Sequence, residues 1–109
     1  MHELSITRNV VAICAERAVG VQVTRVRLAI GRLSAVMPDA VRFCFDICAQ
    51  GTPVQGAVLE IVEVPGRGLC LDCGNEFAMQ QLAGRCRCGS ARLRLIAGEE
   101  LKIQEMEVV

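Results

Sequence analysis

The sequence predicts an α/β fold of the α+β kind, with two helices on a small sheet of about three strands and an inserted zinc-ribbon-like domain. Three observations predict it. Helix and strand patterns alternate over residues 1–64, a cysteine- and glycine-rich stretch follows over residues 65–98, and a strand pattern returns over residues 99–109. We therefore predict an α/β domain formed by the first and last of these segments, interrupted by a metal-binding domain.

The first helix is predicted over residues 4–18, where apolar side chains recur at helical spacing before a C-terminal stop at Gly20. Residues 21–31 are rich in β-branched side chains that alternate in two registers, which predicts a strand with a bulge or turn near Thr24-Arg25. The predicted inward stripe of the helix consists of Leu4, Val11, Cys14 and Ala18, widened by Ile6, Val10 and Ile13.

The second helix is predicted to begin at Pro38, which suits the first helical position, with Asp39 against the positive end of the helix dipole. A strand is predicted at residues 57–64. Alternating apolar residues in the tail predict a last strand that pairs with the first sheet, which makes the cysteine-rich segment an insertion. The second helix should bury Val41, Phe45 and Cys48, with Cys44 and Ile47 beside them.

Composition narrows the classes of protein. A chain of 109 residues is too short for a large enzyme, and twelve basic residues balance twelve acidic ones, so no global charge draws it to nucleic acid or to an anionic membrane. No segment approaches the roughly 20 apolar residues of a membrane span, and the N-terminus lacks a signal-peptide pattern. We predict a cytoplasmic protein, and a homodimer is left open.

The cysteine-rich segment predicts a structural zinc site. Cys70 and Cys73 form a C-x2-C-G turn, and Cys86 and Cys88 form a second, shorter C-x-C-G turn. Two such pairs supply the four thiolates of a tetrahedral Zn²⁺ ion and leave no open position for a catalytic water. The shorter second turn departs from the usual spacing and puts the geometry of the site in doubt; a redox dithiol and unliganded thiols are the alternatives.

The remaining three of the seven cysteines have a plainer interpretation. Cys14, Cys44 and Cys48 each fall on or next to an apolar helical stripe, where free cysteine is commonly buried. Cys44 and Cys48 stand four residues apart on one helix and could in principle bind a metal together. Their predicted role is in the core.

The N-terminus contains the only histidine, His2. By position alone it is an ordinary solvated side chain at the start of a helix. The α-amine of Met1, the amide and imidazole of His2 and the amide of Glu3 nevertheless lie within a short stretch, and such nitrogen sets suit square-planar Ni(II) or Cu(II). Glu3 also offers a carboxylate. Asp39 is a further candidate oxygen ligand, although a first-turn helix carboxylate is its simpler role.

Both ends of the chain carry a family resemblance: the opening MHELS, the stretch IGRLSAVMPDAVRFCFD, the LCLDCG and CRCGS turns, and the closing ELKIQEMEV. Together they resemble the HypA/HybF family of nickel metallochaperones used in NiFe-hydrogenase maturation. The resemblance implies His2 as the essential nickel ligand with Glu3 beside it, transient Ni²⁺ as cargo, and Cys70, Cys73, Cys86 and Cys88 as zinc ligands. It implies two partners, the maturation GTPase HypB and the hydrogenase large-subunit precursor; some members also serve urease.

Two other function classes remain as alternatives. A zinc-ribbon nucleic-acid adaptor would use basic side chains of the cysteine-rich segment, but Trp and Tyr are absent and Phe77 alone is a poor stacking platform. A thiol oxidoreductase would use Cys70 and Cys73 but lacks an evident active-site scaffold. We therefore predict a protein that binds and hands over an ion and is not an enzyme.

Overall fold

The computed structural model describes residues 2–109, and of His2 only the backbone. Within this range the chain forms two helices and six strands, so the predicted α+β class is confirmed. The elements are α1 (His2–Ala18), β1 (Val23–Gly31), α2 (Pro38–Ala49), β2 (Val58–Val64), β3 (Gly66–Cys70), β4 (Glu76–Met79), β5 (Leu93–Ala97) and β6 (Leu101–Val108).

The first sheet has the strand order β2-β1-β6. β1 pairs in parallel with β2, so the connection between them crosses over through α2, and it pairs antiparallel with β6. The prediction that the tail strand returns to the first sheet is therefore confirmed. The pairing with β6 shifts register between Val23 and Arg25, where the sequence predicts a bulge, and again between Arg27 and Leu28.

The main core lies between the two helices and this sheet. Strand β1 supplies the largest fully buried side chains, because its alternate residues Val26, Leu28 and Ile30 all point inward. Cys14 is buried, as predicted, and the helices add Val10, Val11, Ala18, Val41, Phe45 and Ala49.

The predicted stripe of α1 is partly wrong. Leu4 and Ile13 are each 42% exposed, whereas the polar Thr7 is fully buried. Thr7 tolerates burial because its hydroxyl donates a hydrogen bond to the carbonyl oxygen of Glu3, 2.5 Å away, within the helix. The helix also begins at His2 rather than at Leu4.

The predicted stripe of α2 is shifted in the same way. Val41 and Phe45 are buried as expected, but the third buried position is Ala49, and Ile47 is 56% exposed. Cys44 and Cys48 are half-buried. A helix that packs against another helix buries a narrower stripe than its full apolar face, and the sequence alone does not say which edge stays open.

The second sheet has the strand order β4-β3-β5, with both pairings antiparallel. Residues 65–98 form these three strands although their sequence shows no helical or strand period long enough to form a core. These strands are only four or five residues long, and two glycines, Gly66 and Gly68, break the apolar alternation of the central strand. Whether the two sheets fold as separate domains, divided at residues 64/65 and 98/99, stays a prediction.

The two sheets meet at three glycines. A Cβ atom on Gly31 would lie 2.0 Å from the carbonyl oxygen of Gly98, and one on Gly98 would lie 2.7 Å from the Cα atom of Gly66. The backbones therefore approach more closely than any side chain would allow. The amide of Leu33 donates to the Gly98 carbonyl at 2.7 Å, which ties the loop after β1 to the end of β5.

In the part of the chain that the structure describes, neither helix has the length and apolar character needed to cross a membrane.

Candidate metal centre

The four cysteines predicted to bind zinc lie together. Cys70 ends β3, Cys73 follows in the next turn, and Cys86 and Cys88 come from the loop before β5. Their sulfur atoms all lie within 4.8 Å of one another; Cys70 and Cys88 are 3.7 Å apart, and Cys73 and Cys86 are 3.5 Å apart. A tetrahedral ion with Zn–S bonds of about 2.3 Å requires S···S distances of about 3.8 Å. The donor set and its spacing therefore fit Zn²⁺.

Each cysteine pair is carried on a tight turn that is closed by a glycine amide. The amide of Gly74 donates to the carbonyl of Cys70 at 2.9 Å, and the amide of Gly89 donates to the carbonyl of Cys86 at 2.8 Å. Both glycines have positive φ angles, +76° and +91°, which glycine adopts without steric cost. The shorter second turn thus keeps the same closing bond.

The backbone also prepares one sulfur to act as a thiolate. The Cys73 N–H, 3.5 Å from the Cys70 sulfur, and the Asp72 N–H lower the pKa of Cys70 to about 6, although burial opposes them. The Asn75 N–H lowers the pKa of Cys73, but hydrogen bonds with the Cys86 and Cys70 sulfurs and burial outweigh it and raise that pKa to about 12. Without a cation Cys70 is therefore the sulfur that most readily loses its proton, whereas Cys73 keeps its own until a divalent ion displaces it.

Three arginines of the cysteine-rich segment bind oxygen atoms of neighbouring residues. Arg92 pairs with Asp72, Arg67 lies 3.8 Å from a carboxylate oxygen of Glu76, and Arg85 donates to the Gly89 carbonyl at 2.9 Å. These side chains hold the turns and strands around the cluster. Cys70 and Cys86 are buried, whereas Cys73 and Cys88 are exposed.

The predicted nickel ligands lie at the start of α1. Met1 and the side chain of His2 are outside the described residues, and His2 is the first residue of the helix. The side chain of Glu3 is nearly buried, and its Oε2 atom accepts a hydrogen bond from the backbone N–H of Met37, 3.1 Å away. Glu3 therefore links the start of α1 to the residue that precedes α2.

Asp39 occupies the first turn of α2 and pairs with Arg42, whose Nη1 atom lies 2.6 Å from Oδ1. Its carboxylate is 94% exposed.

Two further contacts at these sites were not predicted from the sequence. One is the bond from the Met37 amide, which has no side-chain signal, and the other is the Asp72–Ser90 contact, whose partners are 18 residues apart.

Comparison with known proteins identifies the family. A family model described as hydrogenase/urease nickel incorporation, metallochaperone, hypA matches residues 1–108 of the chain. The chain belongs to the HypA family. This confirms the resemblance seen at the two ends of the sequence.

Curated relatives and solved structures agree. The hydrogenase maturation factor HypA of Rippkaea orientalis is 61% identical over 109 residues, covering 99% of this chain and 96% of the relative. That of Geobacter metallireducens is 49% identical, covering 99% of both chains. The solution structure of the Ni metallochaperone HypA from Helicobacter pylori aligns with a TM-score of 0.73 at 28% identity, over 100% of this chain and 98% of that one.

Proposed function

We propose that this HypA-family protein is a nickel metallochaperone that binds Ni(II) at its N-terminus and hands it over during NiFe-hydrogenase maturation. The observation that carries the proposal is the match of a nickel-incorporation family over residues 1–108. A function that depends on the opening residues requires backbone nitrogen atoms there that are not engaged in the main-chain hydrogen bonds of the helix. The start of α1 supports that requirement.

The first four N–H groups of an α-helix have no carbonyl partner within the helix. Because α1 begins at His2, the amides of His2 and Glu3 belong to this set. Their deprotonation by a metal would break no bond of the helix. Together with the α-amine of Met1 and the His2 imidazole, these amides offer the nitrogen set that suits square-planar Ni(II).

We assign different roles to the two parts of Glu3. Its carboxylate is nearly buried and bonded to the Met37 amide, so pulling it onto a metal would leave a donor at the start of α2 without that partner. Glu3 therefore enters the nickel site through its backbone nitrogen, while the carboxylate holds α1 against α2. Asp39 pairs with Arg42 and stays outside the nickel ligand set.

The zinc ion would be held by Cys70, Cys73, Cys86 and Cys88. Four thiolates complete a tetrahedral sphere, so the ion would stabilise the second sheet and supply no catalytic water. Neither proposed metal site turns over a substrate, and we assign the protein no enzymatic activity. It would act in the cytoplasm with HypB and the hydrogenase large-subunit precursor, without nucleic acid.

The test is a titration of Ni(II) into zinc-loaded protein with a native N-terminus, followed through the d–d absorption bands. His2→Ala should lose the square-planar spectrum. Glu3→Gln, which keeps the backbone nitrogen, should retain it. A chain with two extra residues before Met1 tests the role of the α-amine, because it keeps every side chain and moves only that group. Its spectrum should also change.

Two results would overturn the proposal. If His2→Ala binds nickel with the same affinity and spectrum as the parent chain, nickel is bound elsewhere. If Glu3→Gln abolishes the spectrum while the helical circular dichroism is unchanged, the carboxylate itself is a ligand and its assigned structural role is wrong.

A further inference from the structure

A side-chain network joins the two cysteine turns. Asp72 lies between Cys70 and Cys73, and its carboxylate accepts hydrogen bonds from the Ser90 hydroxyl and from the Arg92 guanidinium. The backbone N–H of Arg92 in turn donates to the Ser90 Oγ at 3.0 Å. The first turn is thereby connected to the residues that directly follow the second turn.

The backbone around Ser90 completes this connection. The amide of Cys86 donates to the Ser90 carbonyl at 2.9 Å, so Ser90 contacts the second turn through its backbone and the first turn through its side chain. The amide of Leu71 donates to the Arg92 carbonyl, also at 2.9 Å. Outside β4, the connecting residues 74–85 contain no helix or strand that would fix the distance between the turns.

We propose that Asp72 and Ser90 form a clamp that positions the two cysteine pairs for metal binding and makes up for the residue missing from the second, C-x-C turn. A shorter turn leaves less backbone to orient its two sulfurs. The clamp supplies an external support by fixing the second turn against the first. Both residues are positioning residues, not ligands, and the inference rests on the zinc binding proposed above.

The charge pair alone does not account for such a role. The side chains of Arg92 and Asp72 are 68% and 42% exposed, and exposed ion pairs contribute little to stability. What the network adds is a fixed distance between two ligand pairs before the ion arrives. Loss of residues that orient metal ligands lowers metal affinity by about 10- to 100-fold. Because this clamp touches the turns and not the sulfurs, we expect an effect of about tenfold.

The experiment measures zinc affinity by competition with a chromophoric chelator, and the geometry of the site by the absorption of Co(II)-substituted full-length protein. The variants are Asp72→Asn, Ser90→Ala and their combination. The matched control is Glu76→Gln, which removes an exposed ion pair with Arg67 in the same sheet but links no cysteine turns. Ser90→Ala should weaken zinc binding about tenfold, and the double variant should be no weaker than the poorer single variant.

The cobalt spectrum distinguishes the possible failures. Saturated variants that show the tetrahedral bands but bind zinc about tenfold more weakly than the parent chain support the clamp. The clamp proposal would be overturned if Asp72→Asn and Ser90→Ala bind zinc within about twofold of the affinity of the Glu76→Gln control, where a tenfold difference is expected. If the parent chain shows no thiolate-to-cobalt absorption, the proposed zinc site itself is wrong. If a variant shows no cobalt bands even at saturation, the network is needed to form the site at all, which also supports the clamp.

Discussion

The two sheets of the protein contain three strands each but are held by different interactions. The first is covered by α1 and α2, and side chains such as Leu28 and Ile30 in its central strand are fully buried. The segment 66–97 that forms the second contains no helix, and its buried hydrophobic side chains are those of Cys70, Met79 and Cys86. Two of these three are candidate metal ligands, so a bound ion would stabilise the second sheet in place of a hydrophobic core.

The difference between the two sheets shows that strand pairing and the burial of side chains contribute separately to stability. Backbone hydrogen bonds pair β3 with β4 and β5 as regularly as they pair the strands of the first sheet. Their net contribution is modest, because the unfolded chain bonds to water instead. A segment this small and this poor in buried apolar surface needs a cross-link, and four cysteines within reach of one ion supply it.

The largest expected effect comes from removing one thiolate. Cys73→Ser should unfold the second sheet and leave most of the helical signal, because the helices pack on each other and on the first sheet, and the core that they form contains no candidate zinc ligand. Far-UV circular dichroism and limited proteolysis of residues 66–98 would measure this. Cys44→Ser, a half-buried thiol on α2, is the control and should leave the second sheet intact. Loss of the whole far-UV spectrum in Cys73→Ser would show that the two sheets do not fold separately.

The second prediction compares a leucine-to-alanine substitution in the first sheet with one in the second. Leu28→Ala removes a fully buried side chain from β1 and should cost about 3 kcal/mol of unfolding free energy. Leu95→Ala removes a half-buried side chain from β5 and should cost about 1 kcal/mol or less when zinc is bound, since less apolar surface returns to water. Urea unfolding of the zinc-loaded proteins tests both. Equal costs would mean that the second sheet has a core of its own.

The same contrast explains what the sequence could predict. Elements of the first sheet bury one face over many residues, so their periodicity is visible, and both helices and all three strands were predicted to within about two residues. The second sheet buries little, and its strands leave no period to detect. Its turns, however, carry cysteines at fixed spacing, so the clustering of the four cysteines was predicted although the strands around them were not.

The contacts that the sequence could not predict are those between a side chain and a backbone group. Glu3 accepts a bond from the Met37 amide, 34 positions away, and no side-chain pattern marks a backbone donor. The burial of Thr7 depends on a hydrogen bond within its own turn, which a polarity pattern counts as exposed. Such details depend on how the elements pack, which is settled only when the chain is folded.

The third prediction concerns the glycines between the sheets. Gly31→Ala would place a Cβ 2.0 Å from the Gly98 carbonyl oxygen, so the two backbones must separate. Overpacking of this kind costs about 1–3 kcal/mol. Gly84→Ala, where a Cβ meets nothing within 4 Å, is the control and should change little. Thermal unfolding of the zinc-loaded proteins would measure the difference, and equal stability of the two variants would show that the junction is loosely packed.

The smallest expected effect lies on the outer face of the first sheet, where Arg25 contacts three glutamates. Its Nη1 atom lies 3.0 Å from Glu60 and its Nη2 atom 2.8 Å from Glu107, and it also pairs with Glu105. The bond to Arg25 holds the pKa of Glu107 below its ordinary value, and Arg27 and then Arg25 do the same for Glu60. A carboxylate with a lowered folded-state pKa stabilises the fold above its unfolded pKa of roughly 4.3.

That stabilisation is lost as the pH falls through the lowered folded-state values, so the first sheet should weaken below about pH 4. Arg25→Gln should make this decline shallower. The measurement is urea unfolding of the helical signal between pH 5 and pH 3, made in the Cys73→Ser background so that acid release of zinc does not contribute. Because the carboxylates are exposed, the effect should be small and should shrink at high salt. Arg42→Gln, which removes a pair on α2 outside this network, should leave the slope unchanged. An Arg25→Gln slope equal to that of the parent would show that the network does not stabilise the sheet.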